Sequence, residues 1–209
     1  MKAEPGSSAP PKVLVAYVSY SGNTRETAEI IAGVLAEKGM EVALLDVSEV
    51  GIPSEDEAPS DPQDVREFKG NSGTRGTGVP LEGYDVYVFG ALTWGDGELP
   101  EEMRVFLRGL LPLLERRFEE GRAGTSAVFG TGDSIFPRFC WAVDIIFHHL
   151  TKRGIPTFPE KLKIEQSPYG LGQVAKVKAW AERFAEWMQG STTVEDAAQE
   201  ASTSKFVVK

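Results

Sequence analysis

Continuous apolar runs of strand length alternate with amphipathic runs of helical length over most of this chain. Residues 13–19 form the first apolar run, and strands are also predicted at 42–46, 84–90 and 126–130. Between them, Ala28, Ile31, Ala32 and Leu35 recur at helical spacing within a helix predicted over 23–38, and Gly39 stands where a left-handed cap falls. Further helices are predicted at 100–118, 139–153 and 172–189, with a short broken strand at 155–158 and 161–164. Strand and helix in strict alternation imply a parallel sheet covered on both faces. The fold class is therefore α/β, doubly wound.

Three stretches fall outside the alternation. The arm 1–11 and the tail 191–209 are polar and are expected to be flexible. The connection 48–83 is rich in Pro, Asp, Glu, Ser and Gly and far longer than an ordinary loop, and its Gly-rich part, 70–78, reads as an insertion. What remains, 12–190, is one domain. With 209 residues, 41% apolar and 25% charged, the chain can bury a substantial core. One cysteine excludes an internal disulfide, and neither a leader pattern nor a membrane-length apolar run is seen. The expected compartment is the cytoplasm. A net charge of -9 argues against nucleic acid as a partner. The same charge suits encounters with basic proteins, and it equally suits plain solubility.

The chemistry sits in three loops, each leaving the carboxyl end of a strand. Ser19-Tyr20-Ser21-Gly22-Asn23-Thr24 joins the first strand to the first helix. A glycine that turns tightly, hydroxyl donors and the N–H groups of a starting helix make a phosphate cradle, and an ordinary capped turn is the structural alternative. No lysine follows the glycine, so a small resident monophosphate fits better than a triphosphate. Thr93-Trp94-Gly95-Asp96-Gly97-Glu98 follows the strand at 84–90, and Gly130-Thr131-Gly132-Asp133-Ser134 follows the strand at 126–130. In an open parallel sheet this edge binds ligands. Hydroxyls and amides from one loop, a tryptophan from the next, and a carboxylate with Phe136 from the third describe a phosphate attached to a flat aromatic ring.

In order, spacing and strand context these loops resemble those of the flavodoxins, and Gly-Asp-Ser-Ile-Phe-Pro-Arg-Phe-Cys-Trp-Ala-Val-Asp, 132–144, is similar to the family's third loop and following helix. The resemblance covers about 12–190 and points to the short-chain branch. It implies a five-stranded parallel sheet of order 2-1-3-4-5 and non-covalently bound FMN, with the phosphate on Ser19, Tyr20, Ser21, Gly22, Asn23 and Thr24. Leu92, Thr93, Trp94, Gly95, Thr131, Gly132, Asp133, Phe136, Phe139 and Cys140 would surround the ribityl chain and ring. The implied function is that of a low-potential, monomeric carrier passing single electrons between redox proteins with basic docking surfaces, such as a flavodoxin/ferredoxin reductase and an acceptor enzyme. A flavodoxin-fold NAD(P)H:quinone reductase and a flavin-binding activator subunit of a ribonucleotide reductase are the alternatives. The resemblance further implies that the peptide after Trp94 can turn over at Gly95.

Individual side chains refine this picture. Trp94 lies between loop residues, away from any apolar stripe, and reads as a ring contact; Trp180 and Trp187, seven apart on the last helix, read as packing. Trp141 stays open between packing, shielding and partner contact. Phe136 stands where many flavodoxins stack a tyrosine. Asp133 suits both a turn cap and a flavin contact, whereas Cys140 reads as a small buried hydrophobe and not as a nucleophile. Adjacent His148 and His149 cannot share one metal in the manner of i, i+4 ligands. Asp96, Glu98, Glu101 and Glu102 read as an acidic rim beside the ring.

Overall fold

The structure, a computed structural model, describes residues 9–49, 81–121 and 124–203. The apolar run at the start of the chain is strand β1, Lys12–Val18. It pairs in parallel with β2, Glu41–Asp46, on one side and with β3, Val86–Leu92, on the other. Then β4, Ser126–Gly132, adds to β3, and β5, Leu162–Glu165, closes the edge. The order is β2-β1-β3-β4-β5, as expected.

Side chains alternate between the two faces of each strand, so the central strands β1, β3 and β4 feed two cores. Leu14, Ala16, Tyr87, Phe89 and Val128 meet α2, Glu101–Glu119, and α3, Trp141–Lys152, on one face. Val13, Val15, Val88, Ala127 and Phe129 meet α1, Asn23–Glu37, and α4, Val174–Thr203, on the other. Trp180 is 2% exposed in that second core, stacked on Phe184 and edge-on to Phe158, and Trp187 packs at its margin. Both tryptophans are packing residues, as their spacing predicts. Full burial of one such aromatic is worth about 2–3 kcal/mol.

Several boundaries differ from those predicted, each for a local reason. Both β3 and β4 run two residues further than expected, to Leu92 and Gly132, because Ala91–Gly130 and Leu92–Thr131 continue the ladder. Helix α3 begins only at Trp141, since Cys140 before it has φ +50. The broken strand reduces to β5 plus a single bridge from Ser126 to Thr157, because Pro156 and Pro159 interrupt pairing between them. Beyond Gln189, α4 continues to Thr203 where a flexible tail is expected; after Gly190 neither glycine nor proline stops it. The connection expected at 48–83 falls largely outside the described residues, as do residues 1–8 of the arm and 204–209 of the tail. Of that connection, the short turns Val47–Glu49 and Leu81–Gly83 are described.

Candidate functional site

Three loops meet at the carboxyl edge of β1, β3 and β4. The first turns into α1 through Gly22, whose φ of +91 lies in the left-handed region that side chains resist. The Arg25 N–H donates to Ser19 Oγ at 3.2 Å, and the Glu26 N–H to the Gly22 carbonyl at 2.9 Å. The N–H groups of Ser21, Gly22, Asn23 and Thr24 find no acceptor among the described residues. They gather at the positive end of a fifteen-residue helix. Such a donor set suits a phosphate.

Two first-loop side chains are engaged within the protein. Thr24 Oγ1 lies 2.8 Å from Thr131 Oγ1, and the two residues are 1% and 3% exposed. That pair ties the first turn of α1 to the end of β4. Tyr20 donates its hydroxyl to Glu102 Oε2 at 2.8 Å and sets its ring edge-on against Trp94, with centroids 5.3 Å apart. Partial burial first, and the Glu102 carboxylate second, push the Tyr20 phenol up to about 12. Tyr20 thus joins the first loop to the second.

The second loop is a narrow hairpin. The Trp94 N–H donates to Glu98 O at 3.0 Å, and Glu98 and Gly97 N–H groups return to Trp94 O. This fold-back presents the Trp94 ring, 55% exposed, at the edge of the sheet. Thr93 serves the framework on both sides: its N–H donates to Thr131 O at 3.0 Å, and its Oγ1 accepts from the Ala142 N–H at 3.2 Å, capping α3.

In the third loop Asp133 organises its own turn. Oδ1 accepts from the Ile135 N–H at 3.0 Å and Oδ2 from Gln166 Nε2 at 3.0 Å. The end of β5 clamps the same loop, for the Gln166 N–H donates to Gly132 O at 2.7 Å and the Ser134 N–H lies 3.0 and 3.1 Å from the two Glu165 oxygens. Phe136 is left 57% exposed. Cys140 is fully buried, and its thiol points to the carbonyls of Gly130 and Ile164. Burial pushes that thiol up to about 12, so it stays neutral and unreactive near pH 7.

Between the loops lies a pocket of about 530 Å³. Of the residues named from sequence, Ser21, Asn23, Leu92, Thr93, Trp94, Gly95, Thr131, Gly132, Asp133, Phe136 and Cys140 line it. Ser19, Tyr20, Gly22 and Thr24 do not line it, and Phe139 packs against the α2–α3 core. Asp96, Arg138 and Gln166 line it without having been named as ring contacts. A second cavity, of about 630 Å³, opens at the amino ends of the strands beside Pro11, Met40, Val86 and Gly124. Among the described residues no cluster of side chains could hold a metal, and no helix is long and apolar enough to cross a membrane.

Free amide donors at a helix start, beside a pocket edged by two exposed aromatic rings, fit FMN: the donors suit its phosphate and the rings its flat isoalloxazine. Fold and site together define the class of flavodoxin-like flavin proteins. Comparison with known proteins gives the family. The flavodoxin family model matches residues 78–187. A flavodoxin from Maridesulfovibrio salexigens is 32% identical over 75% of this chain and 88% of its own length, and a probable flavodoxin 1 from Bacillus subtilis is 28% identical over 84% and 91%. The crystal structure of oxidised flavodoxin 2 from Bacillus cereus superposes with a TM-score of 0.62 at 33% identity, covering 84% of this chain and 98% of that one. The chain belongs to the flavodoxin family, whose members bind FMN and transfer electrons.

Proposed function

We propose that this chain is a low-potential carrier that takes single electrons from one redox protein and delivers them to another. The observation that carries this reading is the convergence of unpaired amide donors, Trp94 and Phe136 on one pocket at the sheet's carboxyl edge. Ser21, Asn23 and the N–H groups up to Thr24 hold the phosphate, with Ser19, Tyr20 and Gly22 fixing the loop. Leu92, Thr93, Gly95, Thr131, Gly132 and Asp133 surround the ribityl chain and ring, which Trp94 and Phe136 flank; Cys140 and Phe139 support them from the core. Bound FMN supplies chemistry in one-electron steps, and the protein sets its potential and exposure.

The net charge of -9 and a phosphate loop without a cation disfavour added negative charge on the ring, so the second electron is held at a low potential. Asp96, Glu98 and Glu101 are exposed on the same lip, which supports partners with basic surfaces. The chain works as a monomer in the cytoplasm and is no stand-alone enzyme. To test this, the FMN-loaded protein is reduced photochemically and mixed with a one-electron haem acceptor. Rapid one-for-one transfer, with neither NADH nor NADPH reducing the protein by itself, is expected. Direct turnover of a nicotinamide would overturn the carrier function in favour of a reductase.

A further inference from the structure

Among the described residues that line the pocket, Arg138 is the one cation, and sequence patterning did not mark it. Its position is built from both ends. Its carbonyl accepts the Trp141 N–H at 3.2 Å in the turn before α3, which fixes its main chain. Its stem lies flat on Gly97 of the second loop: a Cβ placed on Gly97 would fall 2.4 Å from Arg138 Cδ and 2.8 Å from its Cβ. Gly97 is itself buried at φ +112, so no other residue would leave room for the stem there. The guanidinium beyond that stem makes no hydrogen bond or ion pair among the described residues. In a chain of net charge -9 an uncommitted guanidinium on a pocket wall is unusual, because nearby carboxylates ordinarily capture it. Asp133, on the same wall, is already satisfied by the Ile135 N–H and Gln166.

We propose that Arg138 sets the potential of the second electron accepted by the flavin, an inference that rests on the carrier function above. The charge balance makes the effect selective. One electron and one proton added to the neutral ring leave it neutral, and the guanidinium is indifferent to that step. A second electron, donated like the first by a reducing partner protein, arrives without a proton and leaves one negative charge on the ring. A cation on the wall favours that charge and tempers the low potential imposed by the acidic protein. Because Arg138 is exposed, its effect weakens as salt rises.

The test is a spectroelectrochemical titration of the FMN-loaded wild type, Arg138→Gln and Arg138→Lys at pH 8, at low and high salt, with the Kd for oxidised FMN measured alongside. In Arg138→Gln fully reduced FMN is expected to bind ~3- to 10-fold more weakly relative to oxidised FMN. That loss appears as a fall of ~30–60 mV in the second potential, since tenfold is 59 mV for one electron. The first potential and the oxidised Kd stay unchanged, Arg138→Lys keeps most of the wild-type value, and the difference shrinks at high salt. Weaker binding of oxidised FMN with both potentials unmoved would mean that Arg138 acts only by packing on Gly97, and a shift shared equally by both potentials would exclude a charge effect selective for the second electron; either overturns the proposal while leaving the carrier function intact. A wild type that holds no FMN overturns both.

Discussion

Replacing Thr24 or Thr131 by valine tests how the phosphate loop is anchored to the sheet. The two hydroxyls lie 2.8 Å apart at 1% and 3% exposure, so each is the other's partner in a nearly dry place. Valine matches threonine in shape but removes one hydroxyl and leaves the other stranded. A stranded buried hydroxyl costs ~1–3 kcal/mol. For a chain of this size that is ~2–12 °C in Tm, taking ~2–4 °C per kcal/mol. In Thr24→Val/Thr131→Val nothing is stranded, so the double variant is expected to recover at least half of the summed losses, with a coupling of ~1 kcal/mol or more. Urea unfolding of the FMN-free protein is the appropriate assay, because bound ligand would add its own stabilisation. Each single variant is expected to loosen FMN as well, since the pair sets the spacing of the first and third loops. If the two single losses simply add in the double variant, the hydroxyl pair is not the link described.

Ser21→Ala is expected to weaken FMN by ~1–2 kcal/mol while riboflavin is nearly unaffected, which paired fluorescence titrations would read; equal losses would place Ser21 away from the phosphate. Gly95 has φ +51, and a Cβ there would meet Glu98 Oε2 at 3.2 Å, so Gly95→Val should strain the Trp94–Glu98 hairpin by ~1 kcal/mol and bring the two one-electron potentials closer by tens of millivolts, as checked by potentiometry. Asp144 accepts from Lys161 and Lys163; burial pushes its carboxyl up, but the two ammonium groups outweigh burial and hold it below the ordinary range. A folded-state value below the unfolded one stabilises the protein above the ordinary carboxylate pKa and is lost as pH falls through the folded value. Asp144→Asn should therefore be less stable than wild type at pH 7 and approach equality in acid, as a pH series of urea midpoints would report. A chain of residues 9–190 is expected to keep both FMN and Tm, because every residue named in the site and most of both cores lies within it; a large fall in either measurement would tie the continuation of α4 to the domain.

The sheet and its loops were readable because their determinants are local. Apolar runs such as 13–19 must be buried on both faces, which implies a parallel sheet, whereas the strand order came from the family resemblance of the loops; Gly22, Gly95 and Gly97 mark positive φ values that few other residues tolerate. What could not be read depends on closure. Arg138 enters the pocket wall only because its stem crosses to Gly97, and Gln166 only because the end of β5 returns to Asp133. Nothing in either residue's neighbourhood in sequence announces those contacts, although an arginine inside the third-loop motif of an acidic chain was a signal open to notice. The partners of Tyr20 and Thr24 were hidden for the same reason: a loop hydroxyl reads as a phosphate donor until the residue it meets, Glu102 or Thr131, is in place. Helix α4 outran its predicted end because apolar spacing marks where a helix packs, while its continuation to Thr203 needs only the absence of a stop.

Calorimetric titration of the FMN-free protein with FMN, riboflavin and FAD tests the central claim most directly, since the unpaired donors at the start of α1 and the aromatic-edged pocket should together select a flavin monophosphate. One FMN per chain, bound at least ~10-fold more tightly than riboflavin and in preference to FAD, is the predicted result, the tenfold corresponding to a single charge-assisted hydrogen bond of ~1.4 kcal/mol. Equal affinity for FMN and riboflavin, or no binding of either, would contradict it.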